Sequence, residues 1–400
     1  MRDHQQVNAS REKLIAAARR VVIKVGTSTV TGPDGDLCAA RVEPIVSSIA
    51  GLIKNGRQVV LVSSGAVGLG AGWLRLHRSR LTDMVTKQAC AAVGQSLLMN
   101  AYKNLFSEWD IKVAQVLLTE DDFTNWHRYS NLRHTMERLF GFGVLPIVNE
   151  NDTVSTAELE PLTSGPRKAA FSDNDRLAAL VMSGLEAEVL ILLSNVDGFL
   201  RQESRPSIRR SPGPEKLEVV PCIERITPEI KASASGPSAS GRGGMQTKLE
   251  AAEIAMMCGG TAVIANGHDR STLDRIFAGE QVGTLFLPAN RMKGKRRWIA
   301  FAANVRGRIV VDAGAERAIT QGKASLLTSG VVRIESHFAP MDVVNIVDSH
   351  GREFARGIAN CSSNEAEKLL EDKKRKDRDG SLPKSRVFVT RDNIVLLEKS

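Results

Sequence analysis

The chain has 400 residues, 42% hydrophobic and 25% charged, an ordinary globular composition long enough for two or more domains. Its net charge of +9 is unevenly placed: residues 291–400 carry 22 Lys/Arg against 14 Asp/Glu, the first 290 carry 32 against 31. A basic tail allows nucleic-acid contact, but its densest run, EDKKRKDRDG (371–380), mixes both signs and reads as a solvated face. The five cysteines, at 38, 90, 222, 258 and 361, form no C-x-x-C and have no His at metal spacing, which argues against a disulfide or zinc scaffold. No apolar run approaches a membrane span, and the opening MRDHQQVNASREKL lacks the apolar region of a secretory signal. A reduced, cytoplasmic setting without membrane contact is expected.

Residues 1–17 read as an N-terminal extension. RVVIKVG (20–26), QVVLVSSG (58–65), GVLPIVNEND (143–152), EVLILLSN (188–195) and TAVIANG (261–267) are short apolar runs ending in small or polar residues. Apolar on both faces, they predict strands of a buried parallel sheet. Between the first two, Val42, Ile45, Val46, Ile49, Leu52 and Ile53 form a helical stripe stopped by Asn55-Gly56. After the second comes a glycine-rich turn holding Gly68, Gly70 and Gly72, then a helix over 87–106 with apolar positions Val93, Leu97, Ala101 and Leu105. DNDRLAALVM (173–182) and MQTKLEAAEIAMMCGG (245–260) predict two more helices. RQESRPSIRRSPGPEK (201–216) and KASASGPSASGRGG (231–244) read as loops, the second placed to act as a lid.

This alternation predicts an α/β domain over 18–288, with a mostly parallel central sheet and helices on both faces. ANRMKGKRRWIAF opens a basic linker (289–304), and GRIVVD, GVVRIE, DVVNIVD, EFARGIA, RVFVT and IVLLE predict a small β-barrel-like domain over 305–397.

The polar clusters lie at the predicted C-terminal strand ends, where such sheets bind ligands. Lys24 sits inside an apolar strand, where a charge needs an anionic partner. Ser64 precedes glycines whose amides can hold an anion. Asn149 and Asp152, in NENDTVSTAE, can hold an ammonium group and orient a small molecule. Asp173, Asn174 and Asp175 exceed what capping one helix requires. In GRGGMQTKLEAAEIA (241–255), Gly243 and Gly244 bring amides to a polyphosphate and Lys248 reaches the transferred group as a point charge. The order is not that of a P-loop, and no G-x-G-x-x-G is present. Two lysines, an acidic helix start and glycine turns at one sheet edge fit phosphoryl transfer, which needs positioning and charge neutralisation.

VVIKVGTS, VSSGAVG, KQACAAVGQSLLM, PIVNENDTVSTAE, SDNDRLAA, LLSNVDG and GRGGMQTKLEAAEIA, in this order over about residues 15–290, resemble the amino acid kinase family. The branch most similar phosphorylates free glutamate. The tail from GRIVVDAGAERAITQGKASLLTSGVVRIES to REFARGIANCSS resembles a PUA domain. The resemblance implies transfer of the ATP γ-phosphoryl group to the side-chain carboxylate of L-glutamate, the first step toward proline, with proline as feedback inhibitor. It implies Lys24, Lys248 and Asp175 as catalytic residues, and Ser64, Asn149, Asp152 and Asn174 as glutamate ligands. The nucleotide would meet Lys24, Ser194, Asn195 and the stretch Arg242, Gly243, Gly244, Met245, Gln246, Thr247 and Lys248. Mg²⁺ would bridge the phosphates without protein ligands of its own. A homo-oligomer, dimer or tetramer, is implied; RNA binding by the tail is not. Ser194-Asn195 and Ser172 depart from the family pattern, which has Thr-Asp and Gly there. The rivals are kinases acting on aspartate, N-acetylglutamate, carbamate or UMP, and an RNA-binding regulator with a decayed kinase domain.

Overall fold

The computed structural model describes residues 11–77, 80–81, 83–154, 174–202, 217–234, 244–289, 294–302, 305–322, 324–378 and 386–397. Ser172, Asp173, Arg242, Gly243 and most of the two loop segments read from the sequence lie outside them. The chain forms two compact units, Met1–Asp122 with His127–Arg291, and Phe123–Trp126 with Met292–Ser400.

A short helix α1 (11–16) leads into β1 (Arg20–Val25), α2 (Thr27–Val30), α3 (Ala39–Lys54) and β2 (Gln58–Ser63). Next come α4 (Ala66–Trp73), α5 (Met84–Ser107), β3 (Lys112–Leu118), α6 (Glu120–Thr124), α7 (Trp126–Gly141) and β4 (Val144–Glu150). They are followed by α8 (Asn174–Leu185), β5 (Val189–Ser194), β6 (Leu200–Gln202), β7 (Leu217–Val219), β8 (Cys222–Ile223) and α9 (Pro228–Ser233). α10 (Met245–Met257), β9 (Thr261–Asn266), α11 (Thr272–Phe277) and β10 (Thr284–Phe286) complete the series.

All five apolar runs are strands, β1, β2, β4, β5 and β9, in a sheet of order β3-β4-β2-β1-β5-β9-β10-β8. The first six run parallel; β10 pairs antiparallel with β9 and parallel with β8. From β1 the chain moves to one side through β2, then returns from β4 to β5 on the other side. The β1/β5 boundary is therefore a topological switch point, where a crevice opens beyond the strand ends.

Strand alternation decides which helices each side chain meets. Val21, Ile23 and Val25 of β1 join one core with Val42, Ile45, Val46 and Ile49 of α3 and Leu98, Tyr102 and Phe106 of α5. Lys24, pointing the other way, meets α8. α8 is buried along nearly its whole length, from Asp175 to Leu185. Before β1, Ile15 lies in the core, and Arg11 donates to the carbonyls of Glu280 and Val282 at 2.8 Å each.

Two details differ from the sequence reading. The GAVGLGAG stretch is not a glycine turn but helix α4. Its glycines allow close packing: a Cβ on Gly70 would stand 1.8 Å from the carbonyl oxygen of Cys90, and one on Gly94 of α5 1.8 Å from that of Ala66. Gly65 makes the turn into α4 at φ 108°, a backbone that only glycine adopts easily. On α5 the buried face is Cys90, Ala91, Gly94, Leu98, Tyr102 and Phe106, one position round from the expected Val93, Leu97, Ala101 and Leu105, which are half-buried. The contact with α4 selects the face with the glycine.

In the second unit, α12 (Gly294–Arg297) and a π-helical turn (Trp298–Ala302) precede β11 (Val305–Val311), α13 (Ala313–Thr320), β12 (Leu326–Leu327) and β13 (Val331–Glu335). β14 (Val343–Val347), β15 (Glu353–Ile358), α14 (Ser363–Arg378), β16 (Val387–Val389) and β17 (Ile394–Leu396) follow. The main sheet runs β13-β11-β14-β15-β17, and β12 pairs with β16. Ile309, Val311, Val344, Ile346, Phe354 and Phe388 form its core, closed by Ala366 and Leu370 of α14. Every strand-like run of the tail is a strand. The mixed-charge run continues α14, with Glu371 and Asp372 exposed. No helix among the described residues is long and apolar enough to cross a membrane.

Candidate active site

Lys24 occupies the last position but one of β1, Asp175 the first turn of α8 and Lys248 the first turn of α10. Their side chains converge. Lys24 Nζ stands 2.6 Å from Asp175 Oδ1, and Lys248 Nζ 3.1 Å from Asp175 Oδ2. The Thr247 hydroxyl donates to Asp175 Oδ2 at 3.2 Å and to the Gly244 carbonyl at 2.9 Å. Both lysines are 5% exposed and Asp175 is fully buried. Charges so far from water persist only when paired, and a rigid carboxylate between two ammonium groups fixes where both point.

A chain of amides lies beside this cluster. Asn174, the neighbour of Asp175, donates through Nδ2 to Ser64 Oγ at 2.8 Å and to Asn149 Oδ1 at 3.0 Å. Asn149 in turn donates through Nδ2 to Gln95 Oε1 at 2.9 Å. The ends of β2 and β4, α5 and the start of α8 are thus joined through side chains. Below them the Ser63 hydroxyl shares a 2.8 Å hydrogen bond with the Tyr102 phenol, whose pKa burial pushes up to about 12. Asp152 stands in a turn two residues beyond β4, half-buried.

On the other side of β1, Ser194 ends β5 and Asn195 follows, 3.4 Å from the Ser194 hydroxyl through Oδ1. Asn266, opposite Ser194 on β9, donates to Asp197 Oδ1 at 2.7 Å, and Gly267 N donates to the Ser194 carbonyl at 2.7 Å. His268 lies just beyond; burial and then Arg41 hold its imidazole below the usual histidine range.

The helices starting at this edge leave amides unspent. α4 at Gly65 and α10 at Gly244 have no side-chain cap, whereas Asp83 caps α5 and Asp312 caps α13. Among the described residues a Cβ on Gly244 would meet nothing closer than 4.0 Å, and uncapped helix amides of this kind suit a phosphate. Among the described residues no three His, Cys, Asp or Glu side chains converge to hold a metal ion. At the opposite strand edge lies a cavity of about 620 Å³, lined by Arg19, Arg20, Gln58 and Glu186 among others. Its Arg20 guanidinium is engaged by Gln58, Glu137 and the Leu185 carbonyl.

Sequence patterns agree with this geometry. The pattern of the amino acid kinase family matches residues 19–266, and that of the PUA domain residues 307–379. The chain belongs to the amino acid kinase family, with a PUA domain behind the kinase segment. Its relatives narrow the class. The glutamate 5-kinase of Moorella thermoacetica is 43% identical over 348 residues, 86% of this chain and 87% of that protein. Those of Caldanaerobacter subterraneus subsp. tengcongensis and Citrifermentans bemidjiense are each 40% identical, over 95% and 90% of this chain and 98% and 92% of their own. Within the family the chain is a kinase of the glutamate 5-kinase group.

The structure brings Lys24, Asp175, Lys248 and Thr247 into one cluster and Ser64, Asn149 and Asn174 into a second beside it. Ser194 and Asn195 stand across β1 from the second cluster. Met245 is half-buried and Gln246 exposed on the first turn of α10. Gln95, Asp197 and Asn266 were not singled out from the sequence. For Gln95 a signal existed: Ala91, Gln95, Leu98 and Tyr102 fall at helical spacing, so a glutamine interrupts a stripe meant for burial.

Proposed function

We propose that the chain transfers the γ-phosphoryl group of ATP to the side-chain carboxylate of L-glutamate, giving L-glutamyl 5-phosphate and ADP. The observation that carries the reading is Asp175 buried between two lysines, with the amide cluster starting at the next residue. One group suits a transferring phosphoryl, the other a small zwitterion. The glutamate side chain is ionised near neutral pH, since its ordinary pKa is about 4.3, so no protein base has to remove a proton. Asp175 accordingly serves as a fixed anchor. Lys24 and Lys248 neutralise charge on the phosphoryl oxygens as the new bond to the glutamate oxygen forms and the bond to the β-phosphate oxygen breaks.

Ser64 and the α4 amides receive a carboxylate, with Asn149, Asn174 and Asp152 completing the glutamate site. Ser194, Asn195 and the stretch from Arg242 to Lys248 contact the nucleotide. The uncapped α10 start beside Lys248 fits its phosphates. Mg²⁺, when bound with the nucleotide, would supply further charge neutralisation; among the described residues no three His, Cys, Asp or Glu side chains converge to hold it by themselves. Asn195, where the family pattern named above has Asp, would leave one carboxylate fewer near the nucleotide.

The product places the enzyme at the first step toward proline, in the cytoplasm, and proline competes with glutamate. The kinase segment covers 18–288 and the PUA domain 305–397, in a homo-oligomer, with no RNA bound by the tail. The deciding experiment incubates purified protein with ATP, Mg²⁺ and hydroxylamine, testing glutamate, aspartate, N-acetylglutamate and carbamate separately. Hydroxamate from glutamate alone is expected. Hydroxamate from another acid moves the substrate, and none from any acceptor refutes the reading.

A further inference from the structure

Two atoms of the amide chain are left over. Gln95 Nε2 and Asn174 Oδ1 are both closed off from solvent and have no hydrogen-bond partner among the described residues. Buried polar groups without partners are rare in native proteins and call for an explanation. The bonds within the chain fix which atoms remain. Asn174 Nδ2 is used by Ser64 and Asn149, so its oxygen faces away as an acceptor. Gln95 Oε1 is used by Asn149, so its nitrogen faces away as a donor. Asn149 sits between them with both ends occupied and couples the two orientations. One end of the relay thus offers an acceptor and the other a donor.

The place of Gln95 says what that donor meets. Its neighbour Gly94 packs against the Ala66 carbonyl in the first turn of α4. That turn begins at Gly65 without a side-chain cap, next to Ser64. Uncapped amides, a serine hydroxyl and a buried amide donor, linked through Gly94 and through the Asn149 and Asn174 bonds, are a donor set suited to a carboxylate. Resting on the proposed function, we propose that Gln95 is a substrate-binding residue whose Nε2 donates to the α-carboxylate of glutamate, while Asn174 Oδ1 accepts from its α-ammonium. The side-chain carboxylate is then left to lie toward Asp175 and the two lysines. Through Asn149, Gln95 sets the amide orientation that Asn174 presents, so carboxylate and ammonium are recognised as a pair. An amino acid with a blocked α-carboxylate is rejected even when its side chain is intact.

Isoglutamine, which carries an α-amide and a free side-chain carboxylate, is the probe. In the hydroxamate assay, wild-type enzyme should favour glutamate over isoglutamine by roughly 100-fold or more in kcat/KM, because the analogue leaves buried groups mispaired. Gln95→Glu still accepts from Asn149 and fills the same volume, but faces the substrate carboxylate with a charge. It should raise the glutamate KM roughly 10- to 100-fold, with the ATP KM within about twofold, and improve isoglutamine relative to glutamate. Gln95→Met should lose glutamate efficiency while narrowing the preference. A merely structural glutamine would cost both substrates equally. An unchanged glutamate-to-isoglutamine ratio in both variants overturns the inference. So does wild-type enzyme that uses the two equally, a result independent of whether any variant folds, and one that leaves the kinase reading standing. Wild-type enzyme that forms hydroxamate from neither overturns both.

Discussion

Lys24 Nζ lies 2.6 Å from Asp175 Oδ1, with 6% of the lysine side chain and none of the aspartate reaching solvent. The contact ties the central strand of the sheet to the helix crossing it, and Lys248 binds the same carboxylate from a third element. Asp175→Asn keeps the shape and removes the charge, leaving two buried ammonium groups facing an amide. Breaking a buried pair in this way costs roughly 3–5 kcal/mol. We expect a melting temperature several degrees below wild type and a turnover reduced at least about 100-fold, measured by thermal denaturation and the hydroxamate assay. A variant as stable as wild type would show that the carboxylate does not hold the lysines.

In the proposed mechanism Lys248 acts on charge that develops during transfer, so its loss should appear in kcat. For Lys248→Met we expect kcat to fall roughly 10²- to 10³-fold while the glutamate KM stays within about threefold. The amide chain proposed to meet glutamate does not include this residue. Unchanged turnover with weakened glutamate binding would count against the assigned role.

The α4–α5 contact admits no side chain at its centre. In Gly94→Ala the new methyl would fall 1.8 Å from the Ala66 carbonyl oxygen, which belongs to backbone and cannot turn aside. The helices must separate, at a cost of roughly 1–3 kcal/mol or more. Because Gln95 is the next residue, the expected result is a lower melting temperature together with a higher glutamate KM. Calorimetry and steady-state kinetics on one preparation check both.

The sequence showed the central strands because a strand buried on both faces is apolar throughout, as VVIKV and VLILL are. β3 is absent from that reading for the opposite physical reason. It is an edge strand, with Lys112 and Gln115 exposed, and an edge does not need an unbroken apolar run. The glycines of α4 misled because glycine marks turns more often than helices; here the packing of α5 required them. Helix α14 went unmarked because few of its residues, such as Ala366 and Leu370, face the core. Lys24, Asp175 and Lys248 were legible as motif residues, and their grouping was what the resemblance implied; strand alternation turns Lys24 toward α8, while the starts of α8 and α10 supply Asp175 and Lys248. The amide chain was legible only in part. A glutamine on a helix carries no motif, and its importance emerges only once Asn149 is seen to donate to it.

His268 offers a pH signature just beyond β9. Burial, then the Arg41 guanidinium, lower its pKa from the ordinary 6.5, with the Ser28 backbone acting weakly the other way. Below pH 6.5 the unfolded chain takes up a proton that the folded chain still refuses. Its contribution to stability is therefore complete above that value and is lost as pH falls through the lower folded value. Imidazole NMR should show a midpoint below 6.5, and His268→Gln should flatten the acid limb of the stability curve between pH 7 and 5. A midpoint at or above 6.5 would contradict the packing described.

Proline carries the α-carboxylate and an ammonium with two N–H groups but no side-chain carboxylate. It can engage Ser64, Asn174 and Asp152 without offering an oxygen to the phosphoryl group. Its inhibition should be competitive with glutamate: the apparent glutamate KM rises with proline while kcat at saturating glutamate is unchanged and the ATP KM hardly moves. Asn174→Ala should weaken proline and glutamate together, since both are proposed to use the same acceptor. Glutamate turnover that ignores high proline would remove the proposed regulation. Inhibition that glutamate cannot overcome would place proline elsewhere on the protein.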